Sequence, residues 1–196
     1  MRINGRMRKT GWVWGSAVLL AALLFVACGG SGSHPAAAPA TSTSTVAPPQ
    51  DANLTGRDFK NIHLYTRVGD HFVTNVDGHL AQALAVARSS AGGRYPVGTI
   101  IQLFPQEAMV KRRAGFNAAT NDWEFFSLDV SKTGTKILSR GGANVVNRFG
   151  GSCASCHGAA QPQFDSVCGT THGCAPLPLT PQVIAAIQAG DPRPLH

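Results

Sequence analysis

Two cysteines and a histidine carry the sharpest chemistry in this chain: Cys153-Ala154-Ser155-Cys156-His157. Two thiols separated by two residues can reach the two vinyl groups on one edge of a porphyrin and form thioethers. The histidine that follows projects its imidazole beneath the iron. The pattern implies one covalently attached haem c at Cys153 and Cys156, with His157 as axial ligand. Three other chemistries share its first four residues. A Cys-x-x-Cys pair also serves disulfide exchange, supplies half of a four-cysteine zinc site, or closes as a structural disulfide. Exchange catalysts place the pair early in a βαβ pattern, whereas here it comes late, after Asn147-Arg148-Phe149-Gly150-Gly151-Ser152. A zinc site would draw on Cys168 and Cys174, but five residues separate these where zinc ribbons have two.

The remaining cysteines agree with the haem reading. Arg2, Arg6, Arg8 and Lys9 precede an apolar run over residues 12–27, the layout of a secretory signal. Leu23-Leu24-Phe25-Val26-Ala27-Cys28 resembles a bacterial lipobox, with Phe25 where leucine is more usual. The expectation is cleavage before Cys28 and lipidation of that residue, leaving the protein anchored at a bacterial membrane and facing the periplasm or exterior. An uncleaved anchor is the alternative, since the run is only just long enough to span a bilayer. Of five cysteines, lipidation takes one and haem two, so Cys168 and Cys174 are left to form a disulfide in an oxidising compartment.

The sixth iron position is read from what is missing. Electron-transfer cytochromes c commonly hold iron between His and Met. Beyond Cys28 the only methionine is Met109, well before the haem motif, which argues against a small all-helical cytochrome c. Apart from His34, which precedes the folded domain, His63, His71, His79, His172 and His196 are further possible ligands, but a lone histidine is more often a surface or core residue. A five-coordinate iron open to small ligands is the leading expectation. A non-enzymatic electron carrier with Met109 or a histidine as sixth ligand is one alternative, and a gas-binding protein without turnover is another.

Those residues need a scaffold. Residues 29–50 are Gly, Ser, Ala, Pro and Thr apart from one His, one Val and one Gln, and carry no charge. Such a segment buries too little to repay its ordering entropy. It reads as a disordered tether with a span of about 25 Å. The expected layout is a signal peptide at 1–27, a lipidated cysteine and tether at 28–52, and one folded domain at 53–196. Within that domain, Val76, Leu80, Ala83, Leu84 and Ala87 fall on one helical face, followed by Gly92-Gly93. Strands are expected at residues 99–104, within 108–116, at 123–130 and at 135–138, with Ser131-Lys132-Thr133-Gly134 as a turn. Thr180, Pro181 and Gly190 frame a last helix whose apolar stripe is Val183, Ile184 and Ile187. The fold class is α+β, an antiparallel sheet with a few helices.

Charge gives little sign of nucleic-acid binding. Four of the seventeen basic residues precede Cys28 and all ten acidic ones follow it, which leaves a surplus of three positive charges. The one basic run, Lys111-Arg112-Arg113, reads as solvated surface.

Tyr95-Pro96-Val97-Gly98-Thr99 before a strand, then Asp122-Trp123-Glu124-Phe125-Phe126, then Cys153 to His157, together resemble the cytochrome P-460 family, which includes the cytochromes c′-beta. The resemblance spans residues 53–179. It implies a mainly antiparallel β fold, often a homodimer, with haem c held by a proximal histidine and an open distal face. Cys153 and Cys156 would be the thioether sites and His157 the proximal ligand. Some members cross-link a lysine to the porphyrin and oxidise hydroxylamine with NO chemistry; others bind gases beneath aromatic residues without turnover. Lys111 is the first lysine to consider for such a link. Phe104, Phe116, Trp123, Phe125 and Phe126 are candidates for the aromatic cap, and Arg140 and Arg148 for pairing the propionates. A redox partner and a small nitrogenous or gaseous ligand follow from the same likeness.

Overall fold

β-Branched and aromatic runs separated by turn residues assemble into one sheet. The computed structural model describes residues 50–196, so the leader, Cys28, His34 and residues 29–49 of the expected tether lie outside it. Six strands pair in chain order: β1 (Thr66–Val68), β2 (His71–Asn75), β3 (Thr99–Gln102), β4 (Glu107–Lys111), β5 (Trp123–Ser131) and β6 (Gly134–Gly141). Every neighbouring pair is antiparallel. Helices α1 (Leu80–Ala87), α2 (Cys153–His157) and α3 (Pro181–Ala189) complete the α+β fold. No helix among the described residues is long and apolar enough to cross a membrane.

Register sorts the side chains onto two faces, because directly paired residues point the same way and neighbours alternate. Val73, Ile101, Met109 and Phe125 form one row across β2 to β5. With Trp123 they pack against Ala83 of α1, Tyr95, Val145, Cys153 and Val167. On the other face, Ile100, Val110, Phe126 and Leu128 pack against Leu54 and Phe59. The sheet is thus clad on both sides. That explains why all four residues of β3 are buried and show no alternation.

The N-terminal cladding begins earlier than residue 53. Asp51 Oδ1 accepts the Arg113 N–H at 2.9 Å, and the Ala52 carbonyl accepts Arg112 Nη1 at 2.9 Å. Residues 51–52 therefore belong to the docked chain and not to the tether. The basic run also differs from its expected solvated state. Lys111 and Arg112 are 1% and 3% exposed and project to opposite faces, each onto a carboxylate.

α3 follows its sequence signals: Thr180 caps Val183 N–H, Pro181 opens the helix and Gly190 ends it. Its buried residue is Gln188, however, while Val183 is exposed. The Gln188 amide bonds the carbonyls of Asp70 and Leu103 at 2.8 and 3.0 Å. Just beyond, Asp191 and Arg193 form a buried pair at 2.6 Å. Asp191 also accepts Ile62 N–H, while Arg193 donates to the Phe59 carbonyl.

Asp191→Ala is expected to cost about 3–5 kcal/mol in urea denaturation, because it leaves a buried guanidinium unpaired. Acid should have the same effect. Burial alone would raise the Asp191 pKa, but hydrogen bonds from Arg193 and Ile62 outweigh it and hold the carboxyl below its ordinary 3.8. With a depressed folded value, this contribution is present above about pH 4 and lost as pH falls through the folded pKa.

Candidate haem site

The motif sits on α2, and a folded-back loop aims it. The Asn147 side chain accepts the N–H groups of Phe149 and Gly151, and Gly150 N–H returns to the Asn147 carbonyl. Val146 pairs with Ser152 across this turn. Ser152 then caps α2 by accepting the Ser155 N–H, and Cys153 N–H bonds the Val145 carbonyl at 3.0 Å. In one helical turn, positions i, i+3 and i+4 share a face. Cys153, Cys156 and His157 therefore point the same way.

All three line a cavity against the first face of the sheet, with about 820 Å³ of atom-free space including its open mouth. Ile101, Leu103, Met109 and Phe125 form the sheet wall, and Phe104, Phe149 and Leu177 stand around the rest. His71 and Glu107 from the ends of β2 and β4, with Asn147, add polar residues to its lining. The His157 ring lies 5.1 Å from that of Phe125.

The cysteines divide as their count suggests. Cys153 and Cys156 are free, whereas Cys168 and Cys174 are joined in a disulfide that also borders the cavity. A four-cysteine zinc site is thereby excluded, and no other metal-holding cluster of His, Cys, Asp or Glu occurs among the described residues. Nor are Cys153 and Cys156 a structural disulfide. Burial, followed by Glu107, pushes the Cys153 thiol up to about 11, which makes it a poor attacking group for disulfide exchange. An exchange nucleophile needs the opposite shift.

His157 is poised as a ligand. Its Nδ1 lies 2.9 Å from the Ser166 carbonyl. A carbonyl only accepts, so Nδ1 carries the proton and Nε2 keeps its lone pair. Burial lowers the His157 pKa, which favours the neutral, metal-binding form. The Ser166 carbonyl is presented by residues 162–166, which lie close over a loop at Gly92. That glycine has φ +75°, and a side chain there would strike the Gln163 carbonyl. Gly93 N–H completes the contact by donating to the same carbonyl at 2.8 Å.

Two free thiols and an imidazole with its second nitrogen already bonded, all on one wall of an apolar cavity, fit the requirements of haem c. Of the possible sixth ligands, Met109 and His71 line this cavity. Burial, with His157 nearby, lowers the His71 pKa to about 4, so it is neutral near pH 7. The other histidines are placed elsewhere: His63 on the Gln188 carbonyl and His172 stacked on Phe164 at 3.7 Å. His79 and His196 are exposed.

Among the cap candidates, Phe104 and Phe125 reach the cavity. Phe126 lies on the opposite face, Trp123 packs on Tyr95, and Phe116 is exposed. Lys111 is absent from the cavity wall and forms a buried 2.7 Å ion pair with Asp165. Burial lowers its pKa, opposed by the bond to Asp165. Arg140 is committed to Glu124, while Arg148 stands exposed beside the mouth, its N–H on Glu107 at 2.7 Å. Sequence reasoning missed Glu107, Phe149 and Ser166, none of which belongs to a recognisable motif.

Comparison with protein-family models, with curated proteins and with solved structures returned no match to this chain.

Proposed function

We propose that this chain is an exported, lipid-anchored mono-haem c protein whose distal iron face binds or oxidises small nitrogen ligands such as hydroxylamine or NO. The observation that carries the reading is His157: Nδ1 on the Ser166 carbonyl, Nε2 free, beside the free thiols of Cys153 and Cys156 on an apolar cavity. Bound there, haem c supplies an iron that takes small axial ligands and exchanges single electrons. Cys153 and Cys156 would hold it by thioethers and His157 would orient it. Phe104, Phe125 and Phe149 would keep water from the cavity, and exposed Arg148 suits a propionate at the mouth.

No lysine among the described residues lines the cavity, so the reading favours haem c without a lysine cross-link. The protein would work with a redox partner, at the membrane through lipidated Cys28, with a homodimer as the assembly the family likeness implies. Nucleic acid is not an expected partner.

A second reading has its own support. Met109 and His71 both border the cavity, so either could close the sixth position and make the protein an electron carrier. Optical spectra of the haem-loaded protein separate the two. An ordinary haem c spectrum that shifts with CO on reduction is expected. A low-spin spectrum indifferent to CO would replace the open site with an electron carrier. A far red-shifted reduced Soret band would reinstate a lysine link.

A further inference from the structure

The Ser166 carbonyl meets His157 only because the backbone before it is held in an unusual shape. Asp165 and Ser166 are consecutive non-glycine residues in the left-handed region, with φ 52° and 61°. Such conformations persist where the surroundings over-determine them. Here the surroundings converge on Asp165. Its Oδ1 accepts Lys111 Nζ at 2.7 Å and Asn121 Nδ2 at 2.5 Å, and its Oδ2 accepts the Tyr95 N–H at 2.8 Å. Its own carbonyl accepts Trp123 Nε1 at 2.6 Å.

Lys111 ties in a second corner of the same kind. Its ammonium also donates to the Asn121 carbonyl at 2.7 Å, and Asn121 and Asp122 have φ 51° and 60°. The Trp123 ring lies 5.1 Å from the ammonium. Neither Lys111 nor Asp165 borders the candidate haem cavity, so contact with a group bound there does not account for this buried pair. What lies one residue along from Asp165 does.

We propose that Lys111 and Asp165 are a positioning pair for the axial histidine: they hold the 165–166 corner so that the Ser166 carbonyl takes the Nδ1 proton of His157 and commits Nε2 to iron. For its consequence at iron the inference rests on the haem reading; the tautomer of His157 is a property of the chain itself. A carbonyl on Nδ1–H makes the imidazole a stronger donor, which stabilises ferric iron and lowers the reduction potential. Loss of the alignment works in the opposite sense.

The test uses Asp165→Asn and Trp123→Phe, which takes the indole N–H from the Asp165 carbonyl together with part of a buried ring. Nitrogen NMR of the haem-free protein, labelled at histidine, reads the His157 tautomer. The parent should show Nδ1–H alone, and both variants should populate Nε2–H. With haem attached, the variants should favour ferric iron about tenfold less, an upward shift of about 59 mV for a one-electron couple. Folded variants with an unchanged tautomer and unchanged potential would overturn the proposal. Should Asp165→Asn fail to fold, Trp123→Phe alone decides. A parent that never acquires covalent haem defeats the haem reading, while the tautomer result still decides the positioning role.

Discussion

Cys153→Ser/Cys156→Ser, expressed in a host that matures haem c, should emerge with no haem that survives denaturation. Each thioether needs its own thiol, and these are the free thiols among the described residues. Cys168 and Cys174 cannot substitute, because they are bonded to each other. Either single variant should keep one thioether and stain more weakly for haem after denaturing electrophoresis. Cys168→Ser/Cys174→Ser is the informative control. It should retain both thioethers and lose on the order of 2 kcal/mol, the stabilisation expected from closing so short a loop. Intact mass of the denatured protein reads all four cases. Covalent haem in the first double variant would mean that the motif is not the attachment site.

A loss of stability as large as that of Asp191→Ala should follow Glu124→Ala. Glu124 is 5% exposed at its side chain and receives two guanidinium groups on the second face of the sheet. Arg112 donates Nε to Oε2 at 2.7 Å, and its Nη2 stands 2.6 Å from the same oxygen as a charge contact. Arg140 donates Nε to Oε1 at 2.7 Å and Nη2 to Oε2 at 3.1 Å. The same two arginines also hold the carbonyls of Ala52 and Leu54, so the carboxylate indirectly anchors the N-terminal cladding.

Removing one member of a buried charge pair costs about 3–5 kcal/mol, chiefly because the remaining charge is stranded. Arg112 suffers that fate, while Arg140, 35% exposed, can turn to water. Arg112→Met/Glu124→Leu should therefore recover most of the loss in urea denaturation. Failure to recover would show that the carbonyl contacts, and not the stranded charge, dominate.

These carboxylate anchors mark the boundary of what was legible beforehand. The motif, the disulfide, the aromatic strand at β5 and the capped α3 all announce themselves within a few residues of chain. Lys111-Arg112-Arg113 does not. Read locally it is a charge run, but Lys111 is buried against Asp165, which lies 54 residues away, and Arg112 against Glu124 on the other face. β2 was equally opaque. Its His71-Phe72-Val73 start lacks clean alternation because Phe72 and Val73 are both buried, one on each clad face. In α3 the apolar stripe pointed to a buried Val183, but the surface it meets offers the Asp70 and Leu103 carbonyls, so Gln188 takes the inside position. At the site itself, Met109 and His71 lie far from the Cys153–His157 motif in sequence. Pairing of β2, β3 and β4 brings both to its cavity.

The order of the strands has a kinetic consequence. Because each strand pairs with its predecessor, the sheet can grow one hairpin at a time as the chain emerges, with little loop to close at each step. The second face is different. Asn61 Nδ2 donates to the Arg193 carbonyl across 132 residues, and Arg193 donates back to the Phe59 carbonyl. An emerging chain therefore carries a nearly complete sheet whose N-terminal cover is tied at Ala52, Leu54 and Phe59 by Arg112, Arg140 and Thr135. It still lacks its Arg193 latch, and until Arg193 arrives that cover can lift from Phe126 and Ile100. Pulsed proteolysis during synthesis should find the region around Phe59 cleavable until late, then abruptly resistant.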